Sequence, residues 1–360
     1  MKKYLYALAT DQIDTLPARI LKFILLLCSY GYGLAVMLIL SRHRNGKNRK
    51  YVLPKPVISI GNITLGGVGK TPFVETVARF LLEKKIKPVV LSRGYGAVKA
   101  QRMNDELSHS DEAGVLMESL PEVKIYEGKD KFKTGQTVLR EQGDVGTFVL
   151  DDGFQHWRLK RDLDIVLIDA DKPFGNGYLI PRGILRESVK HLRRADIFVL
   201  TKTDLGKRNL ESLRDRLSQI KPGCLIVETV HEPADLSDRR HTSVKKELDF
   251  LRGKKVCSFC GIGDPKSFAY LLSNLGANVK KDFVFMDHHV YQEADINAMV
   301  AFCRENRINT VVTTQKDAVK LKSYLALFPP DMAVLSLNIK VKIVKGQDEF
   351  FRRISDLYRR

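Results

Sequence analysis

Residues 65–71 read Leu-Gly-Gly-Val-Gly-Lys-Thr, and their types and spacing suit the binding of a phosphate chain. Glycines let successive backbone N–H groups turn toward one anion. The Lys70 ammonium would reach the β- and γ-phosphates, and the Thr71 hydroxyl is a hard oxygen ligand suited to Mg²⁺. Such a loop works only between a buried strand and the N-terminus of a helix, where the helix dipole favours an anion. Both flanks are legible. Val57, Ile58 and Ile60 are a short β-branched run, and Phe73, Val77, Phe80 and Leu81 recur on one helical face. Gly66, Gly67, Val68, Gly69, Lys70 and Thr71 are therefore the expected cradle for the phosphates of a nucleotide, with Mg²⁺.

A second cluster follows another apolar strand. Thr147–Leu150 runs into Asp151-Asp152-Gly153-Phe154-Gln155-His156, and a strand-end carboxylate downstream of a phosphate loop is the expected second arm of a Mg²⁺ site. Further strands are expected at Lys87–Ser92, Asp164–Ile168 and Ile197–Thr201, and Ser110 is placed to cap a helix beginning at Asp111. Apolar strands alternating with helices predict a P-loop NTPase-like parallel sheet covered by helices on both faces. Residues 232–254 turn strongly charged and read as a linker. Beyond it, a strand at Lys255–Phe259, helices near Pro265–Leu275 and Gln292–Asn306, and a strand at Thr310–Thr314 predict a second, smaller α/β domain. The expected partition is residues 1–50 as an N-terminal membrane-associated helix, 51–231 as the phosphate-loop domain, 232–254 as linker, 255–345 as the second domain and 346–360 as a C-terminal helix.

Composition narrows the partners. The 360 residues carry 60 basic against 42 acidic side chains, a net charge of +18, which fits an anionic membrane, a phosphorylated substrate or nucleic acid. No aromatic-interleaved RNA motif accompanies the charge, so nucleic acid is the weaker reading. Five scattered cysteines form no disulfide framework, and Cys257 and Cys260 lie in an apolar strand that reads as core. Phe23–Leu40 carries no charge and has basic residues on both sides, the pattern of a helix lying in a membrane leaflet, with a single span or a buried core helix as alternatives. Thr201-Lys202-Thr203-Asp204 matches the spacing of a guanine-reading NKxD by chance, and GTP is not inferred from it.

The loop with Thr64 in place of an earlier glycine looks like that of the deviant-Walker ATPases, which act through protein partners. Their signature lysine would stand where Leu65 does, which counts against that alternative. A longer set of blocks resembles the tetraacyldisaccharide 4′-kinases, the lipid A 4′-kinases: SIGNITLGGVGKTP, VVLSRGYG, SDEA, DDGFQHWRLKRDLDIVLID, FGNGYLIPRGILRE, CGIGDPKSF, FMDHH and TTQKDAVKL, in order between Ser59 and Leu321. The resemblance implies transfer of the ATP γ-phosphate to the 4′-hydroxyl of a lipid disaccharide 1-phosphate. It also implies an N-terminal helix on the cytoplasmic face of the bacterial inner membrane. It assigns Lys70 and Thr71 to phosphates and Mg²⁺, Asp151, Asp152 and Glu187 to the metal, Asp111 to the general base and His288 to its partner. Arg93, Tyr95, Gln155 and His156 match other site positions. On the expected partition, Asp111 and His288 belong to different domains and would meet across a cleft. Arg182, Arg186, Arg193 and Arg194 are candidates for the substrate phosphate.

Overall fold

The computed structural model describes residues 2–44, 51–93, 110–241 and 244–359, which form two compact units. Tyr95 lies outside the described residues. The first unit contains residues up to 108, Leu120–Val230 and Lys342–Arg360. Its N-terminus is α1 (Lys2–Ala9) and α2 (Leu16–Arg44). Then come β1 (Val57–Gly61), α3 (Lys70–Glu83) and β2 (Pro88–Ser92). The chain leaves for α4 (Asp111–Ser119), which belongs to the second unit, and returns for β3 (Lys124–Glu127), α5 (Lys131–Glu141), β4 (Thr147–Asp151), β5 (Leu163–Asp169), β6 (Ile197–Thr201) and α6 (Leu210–Ile220).

A long strand, β7 (Leu225–Asp238), begins in the first unit and ends in the second. The second unit continues with β8 (Lys245–Lys246), β9 (Lys255–Cys260), α7 (Pro265–Asn274), β10 (Asn278–Val284), α8 (Glu293–Glu305), β11 (Thr310–Thr314) and α9 (Gln315–Ala318). Strand β12 (Ala333–Lys345) brings the chain back to α10 (Gln347–Ser355) in the first unit.

In the first unit the strands lie in the order β7-β6-β5-β1-β4-β2-β3, and every neighbouring pair is parallel. Such strands are buried on both faces, which is why β1, β4 and β6 read as mainly apolar runs and are buried throughout. From β1 the chain moves to one side of the sheet and later returns to fill the other. The loop after β1 therefore lies at the point where strand order reverses, the usual ligand crevice of an open α/β sheet. Ile60 pairs with Asp151, so the carboxylates at the end of β4 emerge beside that loop. Helix α3 buries Phe73, Val74, Val77 and Leu81. On its other side Phe80 stacks on Phe351 with ring centroids 4.3 Å apart. The C-terminal helix thus packs on the phosphate-loop helix, and burying Phe350 alone contributes about 1.5–3 kcal/mol.

The second unit orders β10-β9-β11-β12, again parallel, with β8 antiparallel to the end of β7. Cys257 and Cys303 are buried in its core. Two expectations change here. Residues 232–254 are not a linker: they form the end of β7, β8 and a 3₁₀ turn, and Leu236 and Leu251 are fully buried beneath them. Residues 109–119, expected in the phosphate-loop domain, belong to the second unit. The reason is packing: Gly114 on α4 lies against Val319, and Glu118 pairs with Arg239 at 2.8 Å.

Candidate active site

The phosphate loop has the backbone that its glycines promise. Gly66 and Gly69 take φ of 108° and 83°, values that a side chain would strain, and Gly69 is the N-cap of α3. Lys70 Nζ donates to Asn62 Oδ1 at 3.1 Å and lies 3.6 Å from Asp152. Asn62 is itself fixed by donating to the Thr64 carbonyl at 2.7 Å. Asp152 sits at φ 57°, unusual for a residue with a side chain and a mark of a position held by its surroundings. Arg186 grips both its oxygens, at 2.9 and 2.8 Å. Burial alone would raise the Asp152 carboxyl, but Lys70 and Arg186 outweigh it and hold it ionised well below the usual carboxylate range.

The other expected residues occupy the same region with distinct duties. Gln155 donates to the Asn62 carbonyl at 2.9 Å and accepts from Arg186 at 3.1 Å. Burial, helped by the charge of Lys131, lowers His156 to about 4, so it stays neutral. Arg93 is exposed at the end of β2. Glu187 is completely buried, and Arg194, Gln155, Trp157 and His191 all engage its oxygens, the Arg194 bond being 2.7 Å. Against the upward push of burial, those bonds hold it at about 2. It enters a metal shell only by giving up one of these donors. Of the four arginines weighed as partners of a substrate phosphate, three are committed elsewhere: Arg182 to Asp11, Arg186 to Asp152 and Arg194 to Glu187.

The second unit carries its own cluster. Ser110 Oγ accepts from the Ala113 amide at 3.3 Å and so starts α4, placing Asp111 in its first turn. His288 Nδ1 lies 3.2 Å from Asp111 Oδ2. Both residues belong to the second unit, so the expected meeting of two domains at this pair does not apply. His289 is occupied differently: its Nε2 is 2.9 Å from Asp295 and its ring stacks on Phe285. The hydrogen bond to Asp111 raises the His288 pKa, with burial opposing it. Burial pushes Asp111 up, but His288 and Lys320 outweigh it and lower its pKa.

Several residues here were given no role from the sequence, although Lys316 and Lys320 lie in the TTQKDAVKL block. Lys320 pairs with Asp111 at 2.8 Å, and Lys316 pairs with Glu112 at 3.0 Å and approaches His288 Nε2 at 3.3 Å. Lys316 lies on α9 and Lys320 stands two residues beyond its end, so this short stretch brings both to the pair. In the first unit, Lys131 is 1% exposed and donates to the Leu91 carbonyl at 2.9 Å. Burial lowers it to about 8, although the charges of Asp151 and Asp152 oppose the shift.

Among the described residues no three His, Cys, Asp or Glu side chains converge as a metal cage. Thr71, Asp151 and Asp152 offer one hydroxyl and two carboxylates. That partial oxygen set fits Mg²⁺, which keeps waters and takes further ligands from phosphates.

The sequence profile of a family described as tetraacyldisaccharide-1-P 4′-kinase matches residues 21–359. A tetraacyldisaccharide 4′-kinase of Syntrophus aciditrophicus is 36% identical over 315 residues, 83% of each chain. One of Elusimicrobium minutum is 36% identical over 345 residues, covering 91% of this chain and 89% of its own. The crystal structure of LpxK from Aquifex aeolicus in complex with ATP superposes with a TM-score of 0.73 at 31% identity. It covers 94% of this chain and 99% of that one.

Proposed function

We infer the activity from a premise that the comparisons supply: the chain belongs to the tetraacyldisaccharide-1-P 4′-kinase family. It is an ATP-dependent kinase that phosphorylates the 4′-hydroxyl of a tetraacyldisaccharide 1-phosphate, a step of lipid A synthesis. The observation that carries this is a match running almost end to end, with the phosphate loop and the Asp111–His288 cluster both intact.

The proposed division of labour follows the two clusters. The loop amides of Gly66, Gly67, Val68 and Gly69 and the ammonium of Lys70 would bind the ATP phosphates. Mg²⁺ would be held by Thr71, Asp151 and Asp152, with Glu187 able to join after releasing a donor, and would screen charge on the transferred phosphoryl group. Arg186 and Lys70 keep Asp152 ionised for that task. Gln155 fixes Arg186 and Asn62. The loop supplies only donors, so the proton of the sugar hydroxyl must go to another group. Asp111 and His288, bonded to each other, are that acceptor.

A direct assay supplies MgATP labelled in the γ-phosphate together with a tetraacyldisaccharide 1-phosphate. Label should appear in the lipid. Label released only as free phosphate would instead favour an ATPase working through protein partners.

The N-terminal helix is the proposed membrane contact. Leu16–Arg42 is long and apolar enough to cross a bilayer, with 11% of its most apolar window buried in the protein. Phe23, Leu27, Leu34 and Leu38 are each more than half exposed. Its other side is fixed to the first unit by Ser29, which donates to the Leu179 carbonyl, and by Tyr32, which donates to the Arg186 carbonyl. ATP as phosphate donor and the flanking Lys22 and Arg42 favour the cytoplasmic face of the inner membrane. Leu27→Glu and Leu34→Glu avoid those two bonds. Each should weaken vesicle binding by about 30- to 150-fold, from the roughly 2–3 kcal/mol needed to place a carboxylate among acyl chains. ATP affinity should not change. Vesicle binding that stays at wild-type strength in the double variant would mean that another surface holds the enzyme.

A further inference from the structure

The loop after β6 performs a task that neither its sequence pattern nor the reaction scheme assigns. Thr201 Oγ1 donates to the Val68 carbonyl at 3.0 Å, and Lys202 Nζ donates to the Gly67 carbonyl at 3.0 Å. These are consecutive carbonyls of the phosphate loop. Lys202 is 3% exposed and is paired with Asp169, at the end of β5, at 2.6 Å. Its φ of 55° turns the chain sharply at the end of β6, beside the loop it binds.

A trans peptide is a rigid plane whose C=O and following N–H point in opposite directions. Holding the Gly67 carbonyl on one side therefore turns the Val68 N–H to the other. Holding the Val68 carbonyl does the same for the Gly69 N–H, at the N-cap of α3. Glycines at 66, 67 and 69 let the loop adopt this arrangement, but they equally allow others, because glycine is nearly indifferent to the sign of φ. Something outside the loop must select one. We infer that Thr201 and Lys202, with Asp169 aligning the lysine, are positioning residues that turn the loop amides toward the ATP phosphates. The lysine of the TKTD stretch thus serves the loop backbone rather than the recognition of a base.

This rests on the reading that the loop binds ATP, and calorimetry with MgATP separates the two. If the wild-type chain fails to bind MgATP, that reading fails. If wild type binds, Thr201→Val removes one donor at nearly constant shape. Affinity should then fall about 3- to 10-fold, the worth of one lost hydrogen bond, with Tm little changed. Thr201→Ser restores the hydroxyl and should restore affinity. Lys202→Met should lower affinity further, by about tenfold or more, since it removes a charge-assisted donor and the partner of Asp169. In turnover assays the KM for ATP should rise while the KM for the lipid stays constant. A folded Thr201→Val variant that binds MgATP within twofold of wild type would overturn the inference. Equal increases in both KM values would overturn it too, because that is the signature of general loosening.

Discussion

Lys70→Ala is expected to lower kcat/KM for phosphoryl transfer by about 10²- to 10³-fold while the chain stays folded. The magnitude is that of one preorganised donor removed from developing charge in a site shielded from water. The fold should survive because Lys70 contributes little to the core: its side chain is 17% exposed and reaches Asn62 and Asp152 rather than apolar neighbours. Asn62 also remains fixed by its own bond to the Thr64 carbonyl. One change inside the site is foreseen. Lys70 is the foremost charge holding Asp152 ionised, so its carboxyl should titrate at higher pH in the variant, with Arg186 still holding it down. Label transfer to the lipid, with circular dichroism as the control for folding, checks the prediction. A folded variant with near-normal turnover would remove Lys70 from phosphate binding.

The loop was legible because its chemistry is backbone chemistry: glycines at 66, 67 and 69 followed by Lys-Thr allow few other uses between a strand and a helix. The central strands were legible for a related reason, since a parallel strand buried on both faces has to be apolar along its length. Strands that carry charge escaped. In β10, Asn-Val-Lys-Lys-Asp-Phe-Val, most side chains are exposed, and the far part of β12 alternates lysine with aliphatics. The lysines that matter were the least visible. Lys131, Lys202 and Lys320 were assigned no role from the sequence, yet they bind a carbonyl of β2, a carbonyl of the phosphate loop and Asp111 respectively. Burial of a charge is a tertiary fact that no local pattern carries. The same holds for α4, whose assignment to the second unit depends on packing against residues some two hundred positions away.

That assignment makes the Asp111–His288 pair a preformed device within one unit, and the pH dependence of turnover should reveal which member takes the proton. Asp111→Asn and His288→Ala should each lower kcat by about 10²- to 10⁴-fold, the usual contribution of a general base, with ATP affinity nearly unchanged. The double variant should be little worse than the worse single one, because members of one catalytic unit are not additive. The sign of the pH effect follows from the environment. His288 can accept a proton only when neutral, and its bond to Asp111 raises its pKa above the ordinary 6.5. If His288 is the acceptor, kcat falls as pH drops through a value above the ordinary 6.5 of a histidine. If Asp111 accepts the proton directly, its lowered pKa puts the limb below 3.8, out of reach of an ordinary assay. The geometry favours the first, since Lys320 and His288 both engage the same Asp111 oxygen and make it a weaker base. In Asp111→Asn the residual activity should then show its limb shifted to lower pH, because the imidazolium has lost the carboxylate that favoured it. A limb that does not move in that variant, or rate losses that multiply fully in the double variant, would mean that the two residues do not act as one unit.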